Sequence, residues 1–188
     1  MNSQILQQYV KRVTPIINAI LQTHKGEFVW RPTLLGDRSE AARDRALQAF
    51  KQAQIKMVEG DIGQIMIGNW IGWEDLGVGH TSGLDNRKVD NSCIMELKNQ
   101  WNTCNSGSKL AVLDKLAKYK EENPETMCVF GMLNPKPGQK RLRKVVQHNG
   151  QEIITLWGDE LLNYVFTHEG YNYKNEVVEI IRNIMYSN

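Results

Sequence analysis

Residues 82–109 read SGLDNRKVDNSCIMELKNQWNTCNSGSK. Two strand-like runs, SGLDNRKV and SCIMELKNQ, flank Asp90-Asn91, a turn-forming pair, so the segment predicts a hairpin. Side chains alternate across a strand. Glu96 and Lys98 therefore share one face of the second run, and Met95 and Leu97 pack inward on the other. The turn lets Asp85, on the first run, lie beside Glu96. A dense cluster of Asn, Thr and Ser follows.

The neighbouring segments supply the rest of the fold. Residues 4–23 carry apolar positions at Ile5, Tyr9, Val10, Val13, Ile16, Ile17 and Ile20, which is helical spacing, with Pro15 as a kink or break. Ser39 is placed to cap an Ala-rich helix from Glu40. Residues 60–70, GDIGQIMIGNW, predict a shorter helix or a packed turn, whose glycines suggest close approach to something. After the polar cluster, LAVLDKLAKYKEEN is an amphipathic helix with Leu110, Leu113, Leu116 and Ala117 on one face, stopped at Asn123-Pro124. TMCVFGMLN is continuously apolar, as a central strand buried on both faces must be. RKVVQHNGQEIITLWG is a hairpin turning at Asn149-Gly150. Helices over about 159–167 and 172–186 close the chain. The expected class is α/β: a mixed central β-sheet flanked by helices. The expected organisation is one domain over 1–188, with a helical part at 1–70 and the sheet core with its C-terminal helices at 71–188.

Composition narrows the function. The 188 residues are 41% hydrophobic and 23% charged, ordinary for a globular protein. No apolar run is long enough to span a bilayer, and MNSQILQQYVKR has no signal-peptide pattern, so a cytoplasmic protein is expected. Three cysteines with no CxxC pair argue against a zinc or redox centre. Cys93 and Cys128 read as small buried hydrophobes. The net charge of +2 does not by itself indicate a nucleic-acid partner. The run NPKPGQKRLRKVV gathers Lys136, Lys140, Arg141, Arg143 and Lys144 with no acid between them. It either tracks phosphates or keeps a loop and strand edge soluble.

The acidic pair carries the chemistry. Two half-buried carboxylates on adjacent strands raise each other's pKa unless a cation sits between them. An oxygen-rich pair suits Mg²⁺, which takes one or two carboxylates and leaves other positions to water and substrate phosphate. The metal set is Asp85, Glu96 and the backbone carbonyl of Leu97. Lys98 points at the same site, placed to orient or help deprotonate the attacking water and to offset charge on a phosphate. Such a group suits phosphodiester hydrolysis. The spacing alone, common by chance, favours an exposed hairpin face of cross-strand ion pairs.

The order of elements, with Asp85, Glu96 and Lys98 in place, resembles the core of the PD-(D/E)XK nuclease superfamily. The residue before Asp85 is Leu84, where that name has proline. More narrowly, GHTSGLD followed by MELKNQWNTCNSGSK is similar to a group of type II restriction endonucleases associated with GGNCC-type sites. In that group the (D/E)XK element runs into an N–x–x–N–T–x–N–S–x–S segment, matched here by Asn99, Asn102, Thr103, Asn105, Ser106 and Ser108. The likeness covers residues 60–119 best. It implies a Mg²⁺-dependent, sequence-specific endonuclease that cuts double-stranded DNA to 5′-phosphate and 3′-hydroxyl ends. It also implies a homodimer, functionally paired with a cognate methyltransferase.

The polar segment would face DNA beside the scissile bond, since Asn can pair with adenine and Asn, Thr and Ser all bond phosphates. Ser106 or Ser108 is also placed to cap the following helix, which does not exclude DNA contact by Asn102 and Asn105. Lys109, Lys140, Arg141 and Arg143 are further DNA-contact candidates, and His80 is placed to touch phosphate or act as a base. Glu59 is the best-placed extra acid on the helix before the sheet, with Asp61 second and Gln64 one turn on. Trp70 and Trp73 read as core, whereas Trp101, between Lys98 and Asn102, is a base-stacking candidate. His148 is expected to be exposed and without a role. Two other functions use the same residues: a structure-selective repair or junction nuclease, and a non-catalytic DNA-binding module. The near-neutral charge and Asn-rich segment argue against the first, and the intact Asp85, Glu96 and Lys98 set argues against the second.

Overall fold

The apolar run at 127–134 is the middle of the sheet, as its composition requires. The computed structural model describes residues 2–23, 28–31, 36–77, 79–103 and 105–186. In it, β4 (Met127–Asn134) lies between β3 (Cys93–Gln100) and β6 (Gln151–Trp157), parallel to both. β2 (Asn86–Lys88) and β1 (Trp73–Asp75) extend the sheet antiparallel beyond β3, and β5 (Arg143–His148) forms the other edge against β6. The six-stranded order is β1-β2-β3-β4-β6-β5, the expected mixed α/β sheet. The turn between β5 and β6 uses Asn149 at φ 50° and Gly150 at φ 75°, the left-handed pair that a tight hairpin demands.

Helices cover both faces. α3 (Ser106–Glu122) crosses from β3 to β4 and seals one face with Val112, Leu113, Leu116 and Ala117 against Ile94, Phe130 and Met132. The other face packs Met95, Leu97, Val129 and Leu156 against α1 (Asn2–Thr23), α2 (Glu40–Gly68), α4 (Asp159–Phe166) and α5 (Lys174–Tyr186). Its centre is Trp70, with ring centroids 5.4 Å from Tyr9 and 5.3 Å from both Phe166 and Tyr173. Tyr9 donates its hydroxyl to the Met66 carbonyl at 2.9 Å, which pins α1 to α2. Trp70 and Trp73 are buried, as expected. So are Cys93 and Cys128, whose burial pushes their thiols up to about 12 and about 11. Among the described residues no helix is long and apolar enough to cross a membrane.

Several local expectations need correction. Residues 60–68 are no separate helix or turn but the end of one 29-residue helix, α2. Buried Ile62, Ile65, Met66 and Ile67 hold this stretch against the sheet and outweigh the poor helix propensity of its glycines. α1 likewise runs through Pro15 as one element. The first run of the opening hairpin forms a strand of only three residues, two of which pair with β3, and Asp85 sits just before them. Leu110 is 53% exposed, outside the buried stripe of α3, and Val112 takes its place. The minor hairpin of β7 (Thr167–His168) and β8 (Tyr171–Asn172) was not expected. His148 is not idle, because its Nε2 lies 2.7 Å from Asp114 Oδ1 and ties the β5–β6 turn to α3.

The glycines of α2 differ in what surrounds them. A Cβ on Gly60 would meet nothing within 4 Å, whereas one on Gly68 would stand 2.6 Å from the Asp75 backbone nitrogen. Gly60→Ala should stabilise the fold by about 0.5–1 kcal/mol through helix propensity. Gly68→Ala should destabilise it by about 1–3 kcal/mol, because backbone cannot move aside as a side chain can. Thermal denaturation of the two variants checks the opposite signs.

Candidate active site

Asp85 is held by its backbone on both sides. Its N–H donates to the Met95 carbonyl at 3.0 Å, and its own carbonyl accepts from Leu76 N–H at 2.9 Å. The side chain then reaches along β3, where Oδ2 accepts from the Leu97 N–H at 2.7 Å. The N–H and C=O of a strand residue point to the same edge, so the Leu97 carbonyl faces the side on which Asp85 lies. Burial pushes the Asp85 carboxyl above its ordinary value, against the opposing Leu97 N–H. The nearby Glu96 charge adds to the rise, and Lys98 and Lys115 pull against it.

Glu96 is 3% exposed, on the α3 face of β3. Lys98 Nζ donates to its Oε1 at 2.7 Å, and Lys115 Nζ stands 3.9 Å from the same oxygen. The other oxygen, Oε2, is buried without a hydrogen-bond partner. A buried carboxylate oxygen left unsatisfied is costly unless something fills the position. Lys115 also donates to the Gly83 carbonyl at 3.0 Å, fastening α3 to the loop that delivers Asp85. Sequence pattern alone does not assign Lys115 to the site. The signal was present, since it lies beside the buried Val112–Leu116 stripe and its head must reach something from there.

Among the described residues no three His, Cys, Asp or Glu side chains converge as a metal cage. An ion here would rest on the Asp85 and Glu96 carboxylates and main-chain oxygen. That donor set is hard and sparse. It fits Mg²⁺, which shares its shell with water and phosphate, and does not fit zinc.

The other candidates fall in several places. Glu59 does not join this group. It lines a cavity of about 370 Å³ with Asn99, Leu133 and Arg182, and Asn99 projects from the β3 face opposite Lys98 by strand alternation. Asp61 is exposed. Gln64 comes closer: its Nε2 donates to Asp75 Oδ1 at 2.8 Å and lies 3.4 Å from the Asp85 carbonyl. Asn86 Nδ2 donates to the Gln64 carbonyl at 3.0 Å, so α2 is laced to both flanks of Asp85. His80 Nδ1 is engaged within its own turn, 2.8 Å from Ser82 Oγ.

In the polar segment the cap is Asn105, not Ser106 or Ser108. Its Oδ1 accepts from Ser108 N–H at 2.8 Å, the usual reach of an N-cap, and the two serines fall inside the first turn of α3. Asn102 is exposed on a 3₁₀ turn, Trp101–Thr103, and the Thr103 side chain lies outside the described residues. Asn99 accepts from Asn134 Nδ2 at 2.8 Å. Lys109, Lys140, Arg141 and Arg143 are all exposed. Trp101 is 44% exposed, in keeping with its reading as the exception among the tryptophans.

Residues 39–155 match the family described as Eco47II restriction endonuclease. The chain belongs to the Eco47II restriction endonuclease family. No match was found among curated proteins or among solved structures. The matched span contains Asp85, Glu96, Lys98 and Lys115, and the six-stranded mixed sheet is consistent with a restriction-endonuclease-like fold. DNA is thus the substrate that the family membership implies.

For this endonuclease, the buried Asp85 charge has a thermodynamic signature. A carboxyl raised in the folded state keeps its proton to higher pH than in the unfolded chain. Stability then falls as pH rises from the unfolded value, about 3.9, through the folded one. Asp85→Asn removes that loss while keeping an acceptor for the Leu97 N–H. In metal-free buffer its melting temperature should exceed the wild type's at pH 8, and the gap should shrink as pH falls toward 4. An unchanged or reversed gap at pH 8 would show that the Asp85 charge is not strained.

Proposed function

We propose that this chain is a Mg²⁺-dependent type II restriction endonuclease with a PD-(D/E)XK site, in which Asp85 and Glu96 hold the ion. The observation that carries the reading is the buried, unpartnered Glu96 Oε2 on the strand whose Leu97 N–H anchors Asp85 Oδ2 at 2.7 Å, with Lys98 2.7 Å from Glu96 Oε1. When bound, the ion would supply charge stabilisation at the phosphate. Lys98 orients the attacking water and takes up or returns its proton. Water oxygen bonds to phosphorus and the bond to the 3′ oxygen breaks. That leaves a 5′-phosphate and, after protonation, a 3′-hydroxyl. Glu96 keeps Lys98 in position, and Lys115 holds the Asp85 loop against α3.

One such site cuts one strand. Cutting both strands of a palindrome calls for two copies related by a two-fold axis, so the active species is a homodimer. The target class is a GGNCC-type sequence, supported by the likeness of residues 99–108. A host carrying this enzyme would need a methyltransferase acting on the same sequence.

The test is digestion of unmethylated phage-sized DNA. With Mg²⁺ the wild type should give discrete bands whose sequenced ends share one site, and EDTA should abolish them. Lys98→Ala should lose at least about a hundredfold in rate, the scale of a positioned proton-transfer group, while still shifting DNA in a gel. A smear, or full activity in Lys98→Ala, would reject the assignment.

A further inference from the structure

A second concavity lies on the same sheet face as Glu96 and Lys98. Lys98 pairs in register with Met132, and Met132 with Trp157, so the three side chains share that face. Beyond them Trp101, Lys109, Phe130, Met132, Lys136, Gln139 and Trp157 enclose a cavity of about 230 Å³. This is below the roughly 300–1,000 Å³ of sites for drug-sized molecules and suits a single ring system.

Its lining is specific in kind. Trp101 exposes a large aromatic surface just after the catalytic strand, and Lys136 Nζ lies 5.7 Å from its ring centroid. A turn sets Lys136 there: the Gln139 N–H donates to the Lys136 carbonyl at 3.0 Å, with Gly138 at φ 77°. Lys109, in the first turns of α3, brings a second ammonium. The Nε1–H of Trp157 is buried and has no hydrogen-bond partner. Aromatic surface, an unmatched donor and two cations call for a flat, acceptor-bearing group joined to an anion. A nucleotide has those three properties.

We propose that this cavity takes one base of the DNA strand, unstacked from its neighbours, adjacent to the phosphate that is cut. The base stacks on Trp101, an acceptor on it receives the Trp157 N–H, and its phosphate lies on Lys109 and Lys136. Stacking on an aromatic side chain offsets the loss of stacking within the strand. This inference rests on the nuclease reading for the identity of the strand, but the contacts it names need no metal and no cleavage.

The experiment measures binding of an eight-nucleotide oligothymidylate in EDTA by quenching of tryptophan fluorescence, beside the same oligonucleotide carrying abasic positions. Wild type should bind the thymidylate and quench. Trp101→Ala should bind about tenfold more weakly and lose most of the quench. Trp157→Phe, which removes the donor and keeps aromatic bulk, should weaken binding severalfold. Lys11→Ala, exposed on α1 across the sheet from the cavity, should keep the full quench amplitude. Melting temperatures of all variants confirm folding. Equal binding of abasic and thymidylate strands, equal quenching by wild type and Trp101→Ala, or no binding by wild type would each overturn the proposal. Failure of the nuclease reading would register separately, as absence of Mg²⁺-dependent bands.

Discussion

The hydrogen bond from the Leu97 N–H to Asp85 Oδ2, at 2.7 Å, is the constraint on which the site depends. It takes a main-chain donor from the edge of β3, beyond the last paired residue of β2, and satisfies it with a carboxylate instead of another strand. The same contact fixes the Asp85 side chain within reach of the Glu96 and Lys98 charges. Because the acid is mostly buried, its negative charge is disfavoured even with this donor. The fold thus holds an anionic group in a place that favours a proton or a cation.

The two faces of β3 divide the labour. Met95 and Leu97 face α2 and its companions, where Gly63 lets helix and strand come close. Glu96 and Lys98 face α3, which seals the apolar part of that surface and supplies Lys115 at its edge. A one-residue slip of β3 would bury both charges under α2 and turn Met95 and Leu97 toward α3. The long apolar pairing with β4 holds that register. Stability and chemistry therefore come from alternate residues of one eight-residue strand.

Much of this was legible in the sequence, and the reasons differ by feature. The central strand, the Asn149-Gly150 hairpin, α3 and the shared face of Glu96 and Lys98 follow from local rules of period and turn chemistry. α2 was misjudged because glycines that weaken an isolated helix are tolerated where a strand packs against them. β1 is three residues long and has no pattern of its own. Glu59 was assigned to the site by its place in sequence order, but its position on α2 sets it on the far side of β3. The place of Lys115 beside the buried stripe of α3 follows from spacing, but its partners Glu96 and Gly83, and the neighbours of Trp157, lie on other elements and could not be read locally. The resemblance is best over residues 60–119 and looser over the later strand and hairpin, and the family match spans residues 39–155.

The central claim is that Asp85 and Glu96 together hold one divalent cation. Mn²⁺, whose signal in electron paramagnetic resonance falls on binding, can be titrated into the protein across a pH series without DNA cleavage as the readout. One site is predicted in the wild type, weakening as pH falls because protons compete at Asp85. That site should be retained in Lys98→Ala and lost in both Asp85→Asn and Glu96→Gln. Undiminished Mn²⁺ binding in those two variants would contradict the account.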